Sequence, residues 1–559
     1  MGAAARWSSC SRRDAVILPF PRWLAAALVA VTLAVGLLGL GRPLANPDEG
    51  RYSEISREMV ASGDWVTPRL NGIKYFEKPP LQYWATAVAF ELFGEHEWSA
   101  RLYVWLAGLA SLAFAGFAAA RLAGNDTGLA TMLVLAASPY FMALAGIVTL
   151  DMGLTLWTSA TFFAFLLSEE AGASPGAQRR WMLAAWAAMA LAVLSKGLVG
   201  IVFAGAAVFF AMLLRRDAGI LRRMHWGWGL VIFLAIAAPW FIAVSAANPE
   251  FARFFFIHEH FERFLTHEHR RVQPAWFFLP IVLAAFLPWM YSLVACLRHA
   301  WKSPEAGFAL RMSLAWSAFI LVFFSASGSK LPAYVLPLVP SLAFALGHYL
   351  VRAPLPRLAI SAWLLLAAAA ALTACAAVLP SLTRDAWNQE LYVAARPWAA
   401  ASALALVLAA VASLVQLREA RRWQALAAVA IGSLVAVGLL GKAYETLTPR
   451  QSGIAVAAAM KPLLGPSTRL YSVSYYDQTV PFYTGRTLTL VSYVDEFETG
   501  LAAQPELAVA HLDDFPAEWL RPGDALAIMQ PGAYEKMKAA GLPMQVVQSD
   551  PRRVLVRKP

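Results

Sequence analysis

The sequence predicts a polytopic α-helical membrane protein with about thirteen transmembrane helices and a small C-terminal α/β domain outside the membrane. Of its 559 residues, 59% are hydrophobic and only 14% are charged, whereas soluble proteins usually contain about a quarter charged residues. Apolar runs of roughly twenty residues recur along the chain, and each is long enough to cross ~30 Å of hydrocarbon as a helix. These repeated runs predict repeated membrane crossings.

The first apolar run, Trp23 to Leu40, is expected to remain as the first transmembrane helix. It is too long for the hydrophobic region of a cleavable signal, and no small-residue cleavage site follows it. Twelve further apolar runs continue the series. The thirteen predicted crossings are residues 23–40, 102–121, 127–146, 151–168, 181–195, 198–214, 228–246, 276–297, 307–325, 331–351, 358–379, 398–417 and 423–441.

The shorter apolar stretch Leu81 to Phe93 is predicted to be a helix that lies at the membrane interface. If it were a crossing, every later loop would change sides. The arginine clusters between helices would then lie outside, against the rule that positive residues remain in the cytoplasm.

The net charge of +11 is explained by membrane topology, so we expect no nucleic-acid partner. With the basic connections inside, the N-terminus is cytoplasmic, and an odd number of crossings places the chain after Lys442 outside. The three cysteines are far apart and form no disulfide or zinc-finger pattern. The arginines that we assign to the cytoplasmic side are Arg12, Arg13, Arg22, Arg215, Arg216, Arg222, Arg223, Arg352, Arg357, Arg418, Arg421 and Arg422.

The composition divides the chain into a transmembrane domain, residues 1–442, and a polar C-terminal domain, residues 443–559. Within the first, residues 41–101 form the first outer loop. The tail contains a helix-like stretch, Ala533 to Ala540, and short runs typical of strands. We expect it to be an α/β domain with a supporting role. The strand-like runs are Arg469 to Val473, Thr487 to Val491, Ala525 to Met529 and Met544 to Val547.

Two neighbouring carboxylates, Asp48 and Glu49, follow Asn46 and Pro47 directly after the first helix. Both positions suit the first turn of a following helix, so helix capping is the alternative to a functional role. Capping is a weaker explanation for Asp48, because a second isolated carboxylate, Asp151, falls at the same predicted membrane face. An ionisable residue at the end of a membrane helix marks a functional site by default.

A second outer loop, residues 247–275, combines many aromatic, histidine and acidic residues with several basic ones. His258, His260 and Glu77 of the first loop have side chains suited to zinc, although their spacing is not diagnostic. An interfacial loop of aromatic and charged residues is the alternative. Tyr334 and Lys196 also lie at this face, where a tyrosine can serve as an interfacial anchor.

These motifs resemble those of the aminoarabinose transferases that modify lipid A, a family of the protein O-mannosyltransferase-like superfamily with the GT-C fold. The resemblance covers essentially the whole membrane region, and its most specific part is the first outer loop. It rests on residues 47–52, 62–65 and 75–81, on Asp151, on residues 258–263 and on residues 329–332.

The resemblance implies roles for individual residues. Asp48 and Asp151 match two essential acidic positions, and Glu77 and His258 match positions that hold a zinc ion. The remaining matches are phosphate-binding positions, at Lys78, Arg263 and Tyr334, and neighbouring pocket positions, at Glu49, Arg51, Tyr52 and Tyr75.

The implied activity is transfer of 4-amino-4-deoxy-L-arabinose from undecaprenyl phosphate to lipid A phosphates at the periplasmic face of the bacterial inner membrane. Such a modification confers resistance to polymyxin and cationic peptides. A related transferase with another polyprenyl-phosphate sugar or another acceptor is the first alternative. A lipid transporter is the second, but transporters usually carry inverted repeats and broken helices near the middle of the membrane.

Overall fold

The structure is a computed structural model that describes residues 21–170, 172–256, 273–302 and 307–559. Most of the described chain before residue 446 is helical. The helices of this part are Arg22–Leu40, Asp48–Ser62, Leu81–Phe93, Glu97–Ala123, Asn125–Ala137, Pro139–Leu144, Leu150–Ser168, Pro175–Lys196, Val199–Arg215, Ile220–Arg223, Trp226–Ala247, Phe251–Arg253, Phe278–Ala285, Met290–Lys302, Gly307–Ala326, Leu338–Arg352, Leu355–Val378, Ala386–Arg418 and Arg422–Glu445.

Among the described residues, eight helices are long and apolar enough to cross a membrane, or nine if one bent pair counts as a single span. This confirms a multi-pass helical protein, and the count of thirteen stays a prediction. The predicted crossings 127–146 and 276–297 are interrupted at prolines. Pro139 begins a separate helix after Ala137, and the pair around Leu287 bends by 86° next to Pro288, because proline disfavours a continuous helix.

The first outer loop contains two helices, and each of them begins directly after a proline. The loop helix, Asp48–Ser62, starts directly after Pro47 and ends at Gly63, whose left-handed conformation (φ 70°) closes it. The helix Leu81–Phe93 follows Pro80 and has the bounds that the sequence predicted. Between them, strands β1 (Arg69–Leu70) and β2 (Ile73–Lys74) form an antiparallel hairpin.

The C-terminal part is an α/β unit built on a six-stranded sheet with the order β5-β4-β3-β6-β8-β7. Strands β5, β4, β3 and β6 are parallel, whereas β8 pairs antiparallel with β6 and β7. The strands are β3 (Arg469–Val473), β4 (Thr489–Val491), β5 (Ala508–Val509), β6 (Ala525–Met529), β7 (Gln545–Ser549) and β8 (Val554–Arg557). The helices are Thr448–Gln451, Ile454–Met460, Thr479–Thr484, Glu498–Ala503, Phe515–Leu520 and Pro531–Ala539.

The first outer loop packs tightly against this C-terminal unit. The Asn71 side chain donates to the Leu488 carbonyl and accepts from the Leu488 amide, both at 2.7 Å. Gly50 of the loop helix lies so close to Gln478 that an added Cβ would be 2.6 Å from a backbone carbon. The sheet unit therefore holds the loop in place by direct backbone contact.

The helix Leu150–Ser168 connects two ends of the bundle that carry different charges. Asp151 lies at its start, and Glu169 follows its last residue. Glu169 accepts hydrogen bonds from Arg215 and Arg223, two of the arginines assigned to the cytoplasm by the sequence. Nineteen residues of helix span about 28 Å, so these arginines lie at the end opposite to Asp151.

Candidate functional site

Asp48 occupies the first turn of the loop helix, where its side chain is 40% exposed. Its Oδ1 lies 3.3 Å from Arg51 Nη1, one helical turn later. Arg51 also lies 3.5 Å from Glu496 of the C-terminal unit. The Asp48 carboxylate is therefore accessible. Its neighbour Arg51 is held in place by Glu496, which is distant in sequence.

Buried tyrosines form the wall beside Asp48. Tyr52 and Tyr75 are buried, and the ring of Tyr52 lies 5.9 Å from that of Tyr83. Burial raises the pKa of Tyr75 well above its ordinary value, and the nearby Glu77 carboxylate raises that pKa further. These hydroxyls stay protonated and can donate hydrogen bonds to a ligand. The structure thus brings together Asp48, Arg51, Tyr52 and Tyr75, as the sequence predicted.

Glu77 and Lys78 follow β2 and lie next to this wall. Lys78 Nζ donates to the Glu77 carbonyl at 2.8 Å and lies 3.8 Å from a Glu77 carboxylate oxygen. Both side chains are partly buried, at 22% and 14% exposure. A carboxylate and an ammonium group thus lie side by side at the edge of the site.

Asp151 is the second residue of its helix and forms an ion pair with Lys196, the last residue of the helix Pro175–Lys196. The same Lys196 ammonium lies 4.5 Å from the ring centroid of Tyr334. Tyr140 donates to the carbonyl of Pro332 in the Tyr334 segment at 2.6 Å. Asp151 and Tyr334, two predicted site residues, are therefore connected through Lys196, for which no role was predicted.

Glu49, predicted as a pocket residue, lies instead inside a buried ionic cluster. Its two oxygens accept hydrogen bonds from Arg101 Nε and Nη2, both at 2.8 Å, and from Arg42 at 3.0 Å. The Glu49 and Arg101 side chains are 2% and 0% exposed. Burial alone would raise the Glu49 pKa, but the charges of Arg101 and Arg42, with their hydrogen bonds, lower it to about 2.

The same cluster reaches the segment that leads into Asp151. The Val148 amide donates to Glu49 at 3.1 Å, and Arg42 Nη1 donates to the Gly146 carbonyl at 2.9 Å. Glu49 adjoins Asp48 in sequence, and Val148 precedes Asp151 by three residues. The cluster therefore joins the two segments that carry the candidate catalytic carboxylates.

The second outer loop begins against the first. The Phe251 ring lies 5.4 Å from that of Phe76, the residue before Glu77, and Lys74 pairs with Glu250 at 2.8 Å. His258 and Arg263, predicted as a zinc ligand and a phosphate contact, lie outside the described residues. Among the residues that are described, no group of three or more His, Cys, Asp or Glu side chains could hold a metal ion. The described residues thus supply one of the two predicted zinc ligands, the Glu77 carboxylate, whose chemistry suits the ion.

Sequence reasoning assigned no role to Arg42, Arg101, Lys196 or Glu496. Arg101 immediately precedes a predicted crossing, and an arginine at that position was a detectable signal of a buried ionic contact. Its partner Glu49 is 52 residues away. Glu496 belongs to the C-terminal unit, in which the sequence showed no catalytic motif.

Two family models match different parts of the chain. The model described as the aminoarabinose transferase C-terminal domain matches residues 456–558. The model described as dolichyl-phosphate-mannose-protein mannosyltransferase matches residues 42–255. The second match includes the loop helix, Glu77, Lys78, Asp151 and Lys196.

Curated relatives share about a third of the aligned residues. A protein of Shewanella sediminis is 33% identical over 323 residues, and one of Pseudomonas aeruginosa is 34% identical over 333 residues. Both are named undecaprenyl phosphate-alpha-4-amino-4-deoxy-L-arabinose arabinosyl transferase. These alignments cover 57% of this chain and only 58% and 59% of the relatives' own length.

Solved structures extend the similarity to nearly the whole chain. The crystal structure of ArnT from Cupriavidus metallidurans bound to undecaprenyl phosphate has a TM-score of 0.91 and 37% identity, covering 96% of this chain and 98% of that chain. An archaeal oligosaccharyltransferase, AglB from Archaeoglobus fulgidus, has a TM-score of 0.51 at 14% identity and shares the fold alone. This chain is therefore a multi-pass membrane protein of the GT-C fold and belongs to the aminoarabinose transferase family.

Proposed function

We propose that this protein is a glycosyltransferase that moves 4-amino-4-deoxy-L-arabinose from undecaprenyl phosphate to phosphate groups of lipid A. In a bacterium the product would confer resistance to polymyxin and cationic peptides. The observation that carries the proposal is the connection of two carboxylate-bearing segments, at Asp48 and Asp151, through the Glu49 cluster. The names of the curated relatives support the sugar and its carrier, and the similarity to ArnT bound to undecaprenyl phosphate over nearly the whole chain supports the carrier.

The reaction breaks the bond between the anomeric carbon and a carrier phosphate oxygen, whose electron pair leaves with the phosphate. A lipid A phosphate oxygen forms the new bond to that carbon, with inversion expected from a single displacement. The acceptor phosphate is already ionised near neutral pH, so no strong base is required. The roles that remain for the protein are positioning and charge stabilisation.

Asp48 and Asp151 would orient the sugar and stabilise positive charge that develops on its ring in the transition state. Asp48 is partly exposed and hydrogen bonds with Arg51, so its carboxylate can accept from a sugar hydroxyl or amine. Asp151 is paired with Lys196. A shift of Lys196 toward a bound phosphate would release the Asp151 carboxylate for the sugar.

The departing phosphate needs positive charge close to its oxygens, because charge develops there as the bond breaks. Lys78 is assigned to this role, with Arg263 as its proposed partner from the second outer loop. Tyr334 is assigned to the same phosphate and already contacts Lys196. A zinc ion held by Glu77 and His258 would supply further positive charge at this edge of the site.

The site is proposed to face the periplasm, with the N-terminus in the cytoplasm and the C-terminal unit on the periplasmic side. Supporting this orientation, Arg215 and Arg223 lie at the end of the bundle opposite to Asp151. Basic residues at membrane helix ends favour the cytoplasm. Donor and acceptor are both lipids, so a site at the membrane surface can bind each of them without removing their chains from the bilayer.

The proposal is tested in a Gram-negative strain that lacks its own aminoarabinose transferase but still makes the donor. Lipid A is analysed by mass spectrometry after expression of the wild-type chain or the Asp48→Asn variant. We expect one added aminoarabinose per modified phosphate with the wild type and none with the variant. If confirmed expression and donor synthesis give no modified lipid A, the acceptor or the sugar of this proposal is wrong.

A further inference from the structure

A cavity of about 600 Å³ lies beside the segment that carries Asp48, and the proposed chemistry assigns no ligand to it. It is open to the outside and is lined by three parts of the chain. These are Asn46 and Pro47 of the first loop, the start of the helix Ala386–Arg418, and the C-terminal unit with its connection from the last membrane helix.

The cavity is connected to Asp48 in two ways. Asn46 and Pro47 line it and immediately precede Asp48 in the chain. Gln478 also lines it and donates to Glu496 at 2.7 Å, and Glu496 pairs with Arg51, which binds Asp48. A ligand in the cavity would therefore contact the two residues that directly precede Asp48 in the chain.

Two arginines give the cavity its charge. Arg450 donates to the Tyr392 hydroxyl at 3.0 Å, and Arg552 donates to the Arg450 carbonyl. Within the described ranges, neither guanidinium forms an ion pair with a carboxylate. Asp385 also lines the cavity, but its oxygens accept from Trp387 N and Asn388 Nδ2 in its own helical turn. Two arginines without acidic partners suit a phosphate, because a guanidinium binds phosphate oxygens in a bidentate manner.

The remaining polar groups suit a sugar. Asn46 Oδ1 and Gln451 Oε1 are buried atoms that have no hydrogen-bond partner among the described residues. Both are carbonyl oxygens, which accept hydrogen bonds and so match hydroxyl donors. A cavity with two cationic groups and two unpaired acceptors fits a phosphorylated sugar better than a simple anion.

The cavity also lies near the predicted membrane surface. The helix Ala386–Arg418 begins twelve residues before its predicted crossing at 398, so we expect its first turns to stand outside the bilayer. Beside them, Leu382 is 74% exposed and Val393 is 48% exposed. Exposed apolar residues at this position can contact lipid chains. The headgroup of a lipid ligand can therefore occupy the cavity while its acyl chains remain in the membrane.

We propose that this cavity binds the phosphorylated sugar headgroup of the glycolipid acceptor, with Arg450 and Arg552 contacting its phosphate. The inference rests on the proposed function, because it assigns the second substrate of the same reaction. It predicts that the donor and the acceptor phosphates are bound by different cationic residues. Lys78 serves the carrier, and the arginine pair serves the acceptor.

The test uses the purified full chain in nanodiscs and the double variant Arg450→Gln/Arg552→Gln. We expect the KM for lipid A to rise about tenfold or more, because charge-assisted hydrogen bonds are lost, while kcat changes less than about twofold. Binding of undecaprenyl phosphate should be unchanged. Arg450→Lys/Arg552→Lys should recover part of the affinity, since the positive charge is retained.

The matched control is Arg521→Gln/Arg557→Gln, which removes two exposed arginines from the same C-terminal unit. An equal rise in KM in the control, an unchanged KM in the cavity variant, or an equal loss of carrier binding would each overturn the proposal. Melting temperatures establish that the variants are folded. The single variant Arg450→Gln, at an exposed position, gives the same readout if the double variant unfolds.

Direct binding separates this proposal from the proposed function. Wild type and variant are compared with lipid A, with lipid A from which the phosphates have been removed, and with inorganic phosphate as competitor. Loss of lipid A binding only in the cavity variant supports the site, even if the wild type transfers no sugar to lipid A. Equal binding of phosphorylated and dephosphorylated lipid A, or full competition by inorganic phosphate at low concentration, contradicts recognition of the phosphorylated headgroup.

Discussion

The Glu49 carboxylate accepts a hydrogen bond from the Val148 backbone amide at 3.1 Å, across 99 residues of sequence. One partner adjoins Asp48 and the other leads into Asp151. Because Glu49 is also held by Arg101 and Arg42, the two candidate catalytic segments share one ionic cluster. We therefore expect Glu49 to act as a positioning residue for both carboxylates.

Glu49→Gln should destabilise the protein by about 3–5 kcal/mol, since it leaves Arg101 and Arg42 buried without their counter-charge. The melting temperature in detergent measures this change. Glu445→Gln is the control, because its ion pair with Lys442 is about a third exposed and should contribute at most about 1 kcal/mol. The Glu49 pKa is lowered to about 2. The contribution of the Glu49 carboxylate to the free energy of unfolding is therefore present above pH 4.5 and is lost as pH falls toward 2. Equal melting temperatures for the two variants would contradict the role of the cluster.

Asp151→Asn should reduce kcat for sugar transfer at least about a hundredfold, because it removes a charge positioned for the transition state. The ion pair with Lys196 is also lost, so the melting temperature is measured in parallel. The control is Asp513→Asn, whose side chain is 83% exposed in the C-terminal unit. A variant that keeps full activity would remove Asp151 from the reaction.

Lys78→Ala should weaken the apparent affinity for the undecaprenyl-phosphate donor by about tenfold, since one charge-assisted contact to the phosphate is removed. Donor titration at a fixed lipid A concentration measures this effect. Lys536→Ala, at an exposed position, should leave it unchanged. If the KM for the donor stays at the wild-type value, Lys78 is not part of the carrier site.

Glu58→Gln should stabilise the protein above pH 8 by about 1–3 kcal/mol and change little at pH 5. Burial, together with the charge of the neighbouring Glu54, raises the pKa of Glu58 to about 8 from an ordinary 4.5. The protonated form is therefore favoured in the folded state. The contribution of the protonated Glu58 to the free energy of unfolding is complete below pH 4.5 and is lost as pH rises through about 8. Melting curves between pH 5 and 9 test this, and parallel curves for wild type and variant would refute it.

Glu77→Gln should lower the zinc content of the purified protein, since a neutral amide is a poor zinc ligand. Elemental analysis after dialysis measures the zinc bound per chain. Glu250→Gln is the control, because this carboxylate lies in the same region and pairs with Lys74. The same zinc content in wild type and both variants would exclude Glu77 as a ligand.

Local patterns predicted much of the fold correctly. The helix starting at Asp48, the helix from Leu81 to Phe93 and the position of Asp151 at a helix start all follow from prolines, apolar runs and isolated charges. In the C-terminal unit, β3, β4, β6 and β7 were predicted, β3 and β6 with their observed bounds, but the two-residue strand β5 and the terminal strand β8 were not. A strand as short as β5 carries too few residues for a detectable alternation.

The contacts that assemble the site could not be predicted, because they join residues far apart in sequence. Arg101 meets Glu49, Lys196 meets Asp151, and Glu496 meets Arg51 only after the helices have packed. The pocket assignment of Glu49 illustrates the difficulty. Adjacent carboxylates in one helical turn point in different directions, and only packing shows that Asp48 is exposed while Glu49 is buried.

The paired hydrogen bonds between Asn71 and Leu488 make the C-terminal unit part of the active-site support. Such a contact limits how this family can be recombined. A chimera that exchanges only the C-terminal unit between two members would place an unfamiliar surface against the first loop and Gly50. Exchanging the first loop together with the C-terminal unit would preserve that fit, so we expect these two distant segments to be exchangeable only as a pair.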